Sequence, residues 1–133
     1  ALYLINVDGS NLRKIDNTSQ GYQARWAPDG RTIALDLVRE KGPQIFLMDA
    51  DGSNLRRLTH GDADNARPVW SPDGKQLAFH SNQHGGGKFE IYVIDADGSN
   101  QKQLTNHHDD ENVIGAVHPD WHVRPHVFDR PGF

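Results

Sequence analysis

One phrase recurs along this chain at nearly constant spacing, and that periodicity restricts the fold more than composition could. Ala24-Arg25-Trp26-Ala27-Pro28-Asp29-Gly30-Arg31-Thr32-Ile33-Ala34-Leu35 is restated by Arg67-Pro68-Val69-Trp70-Ser71-Pro72-Asp73-Gly74-Lys75-Gln76-Leu77-Ala78-Phe79, with Trp26 and Trp70 44 residues apart. A second phrase, Ile45 to Asn54, returns as Ile91 to Asn100 and more loosely as Leu2 to Asn11, so that Gly9, Gly52 and Gly98 are spaced by 43 and then 46 residues. A period in the forties with several short strands per unit is the mark of propeller blades.

Each unit reads as four strands, A to D. A carries the tryptophan; a Pro-Asp-Gly turn follows, with Pro28 or Pro72 at the position whose φ proline sets in advance and Gly30 or Gly74 closing the turn. B is Thr32 to Val38 or Gln76 to His80, C is the Ile-Tyr-Val-Ile phrase, and an Asp-Gly hairpin leads to D, where apolar and charged residues mix as on a sheet edge. Asp-Gly is expected to supply the positive φ angles of that hairpin. Polar linkers, Asn17 to Gly21, His60 to Ala66 and Asn106 to Asn112, separate the units. The chain therefore divides into a half blade C-D at 1–15, blades at 22–59 and 66–105, and a candidate half blade A-B at 113–128, in which Trp121 takes the place of Trp70 but the Pro-Asp-Gly turn is lost. The expected fold is all-β, with four-stranded antiparallel blades, about three in this chain, forming an incomplete ring. Trp26 and Trp70 are expected to wedge between neighbouring blades, one per repeat.

Composition narrows the partners. A chain of 133 residues with a formal charge of −4 and no block of Lys or Arg has little with which to displace counterions from a phosphate backbone, so nucleic acid is excluded as a partner. Cysteine is absent, and with it disulfides and thiolate metal sites. No apolar run approaches the roughly 20 residues that cross a bilayer, so no membrane insertion is expected.

These residues resemble the TolB-like, or WD-like, β-propeller repeats, whose unit reads Trp-Ser-Pro-Asp-Gly-Lys, an apolar strand, Ile-Tyr-Val-Met-Asp-Ala-Asp-Gly-Ser-Asn and Leu-Arg-Arg-Leu-Thr. The match runs from Trp26 to Thr105 and weakens beyond. The resemblance implies a radial array of four-stranded sheets, a protein or peptide partner, and a periplasmic or other extracytoplasmic setting; propellers of this kind also occur in some peptidases. On that basis Trp26, Pro28, Asp29, Gly30, Trp70, Pro72, Asp73, Gly74, Gly9, Gly52 and Gly98 are structural repeat residues. A partner is expected at turns and linkers, at Asp64, Asn65, Arg67, Asp73 and Lys75, because recognition sits on loops held by a rigid scaffold.

Several motifs invite a chemical reading. Asp49-Ala50-Asp51-Gly52-Ser53-Asn54 opens like a calcium loop, but position twelve is His60 where a bidentate Glu is required, and a hairpin turn explains it better. Ser71 lies in a turn and not in a Gly-x-Ser-x-Gly elbow, and Gly85-Gly86-Gly87 reads as an insert between B and C, without the Lys-Ser/Thr of a phosphate cradle. Histidines gather at the C-terminal end, where His118, His122 and His126 are the candidates for metal ligands, and His118 before Pro119 resembles the metal-holding histidine of some propeller-fold polysaccharide lyases. Pro119 and Pro125 interrupt any regular element there, however, and solvated or turn histidines are the expected reading. No cofactor is otherwise called for. The expected function is a non-catalytic interaction module, with part of a propeller-containing enzyme as the alternative, either a metal-dependent carbohydrate-active one or a peptidase. Two complete blades fall short of the roughly four to eight that close a ring, so the isolated chain is expected to self-associate or to belong to a larger propeller.

Overall fold

The computed structural model describes residues 1–106 apart from Ser19 and Gly86. The candidate half blade at 113–128 and the candidate ligands His118, His122 and His126 lie outside the described residues. Among the described residues ten strands form three antiparallel sheets. A two-stranded sheet pairs β1 (Leu2–Leu4) with β2 (Arg13–Ile15). A four-stranded sheet runs β3 (Gly21–Trp26), β4 (Thr32–Arg39), β5 (Gly42–Asp49), β6 (Arg56–Arg57), and another runs β7 (Asn65–Trp70), β8 (Gln76–Ser81), β9 (Glu90–Asp95), β10 (Lys102–Gln103). Chain order equals spatial order in each, so the strands read A, B, C and D as meanders. The A and D strands are the two edges of each four-stranded sheet, and Arg56, Arg57 and Lys102 stand on the D strands. Regular pairing of D is only two residues long in the four-stranded sheets, though Leu58 N and Leu104 N extend it by donating to Ile45 O and Ile91 O.

Stacking explains why the B and C strands are apolar on both faces. Ile33, Leu35 and Leu37 of β4 and Phe46 and Met48 of β5 turn toward the first sheet, where Ile15 is buried and Leu2 and Leu4 pack beside them. Ala34, Ile45 and Leu47 turn the other way and meet Trp70, Leu77, Phe79, Tyr92 and Ile94 of the last sheet. Within that second core, Phe79 and Tyr92 stack with centroids 5.9 Å apart. Each such side chain gains about 1.5 to 3 kcal/mol on leaving water, and strands feeding two cores leave no face for polar alternation.

The turns repeat as faithfully as the strands. In the A–B turns, Gly30 N donates to Ala27 O and Gly74 N to Ser71 O, with both glycines at positive φ. In the C–D hairpins, Gly9, Gly52 and Gly98 sit at φ +84°, +86° and +89°. The preceding aspartates do not take positive φ; instead the asparagine two residues after each glycine does, Asn11 at +57°, Asn54 at +56° and Asn100 at +54°. These are therefore longer hairpins than a two-residue Asp-Gly turn, since Asn tolerates the left-handed region better than other non-glycine residues. Asp8, Asp51 and Asp97 accept from the backbone N–H of Ser10, Ser53 and Ser99, each at 2.9 Å, and from the same serines' hydroxyls. Gly52 has a second role: a Cβ there would stand 2.4 Å from Cδ1 of Ile15, so its bareness lets the first blade dock.

The two repeat tryptophans part company. Trp70 is buried, its ring in the inter-blade core and its Nε1 donating to Arg25 O at 3.0 Å. Trp26 is 53% exposed. Both face the preceding blade, as their cross-strand partners Leu77 and Ile33 do. What Trp70 leans on is the A strand of that blade, and the described residues hold only C and D for the blade before Trp26. Tyr3 and Ile5 of the first blade are also more than half exposed.

Two outcomes follow. Trp70→Ala should cost about 3 to 5 kcal/mol, whereas Trp26→Ala should cost less than roughly 1.5 kcal/mol, read as urea midpoints. Equal losses would refute the asymmetry. In the hairpins, the Ser99 hydroxyl and backbone bonds hold the Asp97 carboxyl below its usual 3.8, as Ser10 and Ser53 do for Asp8 and Asp51. A folded-state value below the unfolded one means that the stabilisation is present above pH 3.8 and lost as pH falls through the folded value. Ser99→Ala should raise the Asp97 titration midpoint observed by NMR while leaving that of Asp51 in place.

Candidate functional site

The linker into β7 is where the two complete blades are tied. Thr59, Gln44 and Asn65 are all buried. Ile45 N donates to the Thr59 hydroxyl oxygen at 2.9 Å, that hydroxyl donates to Gln44 Oε1 at 2.9 Å, and Asn65 Nδ2 reaches the same oxygen at 3.0 Å. Gln44 Nε2 in turn donates to Ala63 O at 2.6 Å. Every buried polar atom named here has a partner, which is what makes such burial tolerable. The next blade repeats the arrangement with Thr105 between Ile91 N and Glu90, the glutamate standing where Gln44 stands. In the first blade Thr18 takes over the task, accepting from Leu2 N at 2.9 Å.

Deeper along the A strands, both β3 and β7 carry an irregularity, between Gly21 and Ala24 and between Ala66 and Val69. Arg67 sits in the second at φ +57°. A bulge frees amides from the ladder, and the buried carboxylate of Asp36 collects them: Oδ1 accepts from Gln23 N at 2.7 Å and Oδ2 from Arg67 N at 2.9 Å. One side chain thus bonds the inner strands of two successive blades. At the position equivalent to Asp36, the last blade carries His80, whose ring lies 4.7 Å from that of Phe89.

Gln23, Asp36, Pro43, Asp64, Ala66, Arg67, His80 and Phe89 line a crevice of about 480 Å³ between the blades. Its rim is braced. Asp64 N donates to Asn82 Oδ1 at 2.9 Å, and the Asp64 carboxylate lies so close to Gly42 that a Cβ on that glycine would stand 2.0 Å from Oδ1. Among the described residues no three His, Asp or Glu side chains converge as a metal ion would require.

Of the five turn and linker positions expected to meet a partner, Asp64 and Arg67 line this crevice, and Asn65 is turned inward to the Gln44 network. Asp73 and Lys75 stand elsewhere, in an open depression with Gln76, Asp95, Ala96 and Asp97. Antiparallel order dictates the split: A–B and C–D turns share one end of a blade, and Ala96 N donating to Lys75 O joins them, while B–C turns and D–A linkers share the other. Asp73 is held below 3.8 by the Ser71 hydroxyl and the Lys75 amide, within its own turn. Asp36, His80 and Phe89 were not singled out from the sequence, although a lone charge within Ile33-Ala34-Leu35-Asp36-Leu37 was a usable signal.

Asp36→Ala would strand two partly buried amides, at about 1 to 3 kcal/mol each, and should speed hydrogen exchange at Gln23 and Arg67 beyond the global effect. Exchange that changes uniformly over both blades would contradict the bridging role.

The likeness to known proteins follows the same architecture. The family described as TolB beta propeller domain matches residues 1–122. An uncharacterized protein of Agrobacterium fabrum is 34% identical over 85 residues, 64% of this chain and 29% of that protein. The uncharacterized peptidase YuxL of Bacillus subtilis is 41% identical over 54 residues, 40% of this chain and 8% of that protein. Among solved structures, putative TolB from Agrobacterium tumefaciens superposes with a TM-score of 0.71 at 32% identity, covering 78% of this chain and 37% of that one. The chain thus spans little more than a third of the length of these relatives at most. With residues 1–122 matched and both complete blades superposable, the chain belongs to the TolB β-propeller family.

Proposed function

We propose that this chain is a non-catalytic propeller module that binds a protein or peptide partner in the inter-blade crevice. The observation that carries this reading is where the repeat breaks. Scaffold positions recur from blade to blade, as in the two Pro-Asp-Gly turns and in Thr59 and Thr105, whereas around the crevice Gln23 becomes Arg67, Asp36 becomes His80 and Pro43 becomes Phe89. A stacked scaffold needs one copy of a residue per blade, and a binding site needs only one in all. Arg67 offers a fork for carboxylate or carbonyl oxygens, and Phe89 an apolar wall, in a space of the size that holds short side chains.

The family resemblance supports an extracytoplasmic, periplasmic setting. The relatives' greater length, with the exposure of Tyr3, Ile5 and Trp26 on faces that later blades bury, supports further blades completing the ring, from a longer parent chain or a second copy. A second reading, the propeller domain of a peptidase, is favoured by the 41% identity to YuxL; there the crevice would hold peptide for a catalytic domain.

Selection of displayed peptides on the immobilised chain tests the module reading. Arg67→Ala and Phe89→Ala should each weaken selected peptides at least about tenfold, and Lys75→Ala, at the opposite end, should leave them unchanged. Peptides indifferent to both crevice changes would sink this assignment.

A further inference from the structure

A separate cleft of about 440 Å³ opens on the second blade, between its B–C turn and the linker after β6, and Arg39, Lys41, Phe46 and Arg57 line it together with the acids Glu40 and Asp62. Two of the three cations are fixed in an unusual way. Arg39 Nη1 and Nη2 donate to Val38 O at 3.0 Å and Asn17 O at 3.1 Å, with Cζ 5.0 Å above the Phe46 ring. Arg57 Nε and Nη2 donate to Thr59 O at 2.6 Å and Gly61 O at 3.1 Å. Backbone carbonyls order both forks without neutralising them, and among the described residues neither has a carboxylate within ion-pair distance; Lys41 pairs with Asp62 at 2.8 Å. The remaining N–H groups of two ordered guanidiniums are a ready receptor for carboxylates, since less freedom is lost on binding.

The next blade supplies an internal control. Its residues at the places of Arg39, Arg57 and Phe46 are Gln83, Gln103 and Tyr92, and they bond among themselves and with their neighbours: Tyr92 Oη to Gln103 Oε1 at 3.4 Å and Gln101 Nε2 to Gln83 Oε1 at 3.2 Å. Gln103 Nε2 also donates to Thr105 O, as Arg57 Nε does to Thr59 O, so the scaffold accounts for a donor at that place but not for the positive charge of Arg39 and Arg57.

We propose that the cleft of the second blade is a docking site for an acidic peptide segment, distinct from the inter-blade crevice and independent of it. A peptide fits better than an acidic saccharide because the one aromatic face available for stacking a sugar ring, that of Phe46, is covered by Arg39 and the side chain is buried. The test uses labelled hexaglutamate on the intact chain, with hexaglutamine and oligogalacturonate as comparisons, followed by fluorescence anisotropy. Hexaglutamate should bind, more weakly at high salt, and hexaglutamine should not. Arg39→Gln and Arg57→Gln, which install the residues the next blade already carries, should each weaken hexaglutamate at least about tenfold, with unchanged unfolding midpoints. Arg67→Ala should leave it unaltered, which separates this site from the crevice. No binding of hexaglutamate, undiminished binding to the Arg39→Gln, Arg57→Gln double variant, or tighter binding of oligogalacturonate than of hexaglutamate at these arginines would each overturn the proposal.

Discussion

A four-stranded sheet that is apolar on both faces cannot stand alone in water, and everything else in this molecule follows from supplying each sheet with a neighbour. Ile33, Leu35 and Leu37 require the sheet before them and Ala34, Ile45 and Leu47 the sheet after. Such an arrangement extends sheet by sheet, because each blade touches only its neighbours. The polar bonds are subordinate to that packing and correct its alignment. Asp36 fixes how one inner strand lies beside the next, and the Thr59–Gln44–Asn65 chain fixes how the linker leaves one blade and enters another.

Much of this was legible in the residues themselves. Trp26-Ala27-Pro28-Asp29-Gly30 and its later copy placed the A–B turns, and unbroken apolar runs such as Ile91 to Ile94 announced sheets covered on both sides. What the sequence concealed depends on geometry between repeats. Identical phrases do not have identical surroundings: Trp26 and Trp70 read alike and differ in burial because the strand that one leans on has no counterpart for the other among the described residues. The left-handed Asn11, Asn54 and Asn100 could have been found from their threefold recurrence, but the eye is drawn to the glycine before them.

The candidate site was harder to see for a related reason. Loop residues were the natural suspects, yet the crevice is made as much by β-strand residues, Asp36 and His80, as by the linker. Strand alternation assigns a side chain to a face, and only the stacking of blades decides whether that face is core, seam or opening. Asp73 and Lys75 were grouped with Asp64 and Arg67 because the sequence places all four near turns; the antiparallel meander then sends them to opposite ends.

Asp36 grips its neighbours by their main chain. Two bonds of its carboxylate go to amide groups, at Gln23 and at Arg67, which every residue but proline possesses. Those two bonds make no demand on the side chains at the two places, so glutamine can stand at one and arginine at the other with both amide bonds kept. A duplicated blade that inherits such a clasp begins with variable positions already aimed at an opening, so new specificities can be sampled without first being reconciled with folding.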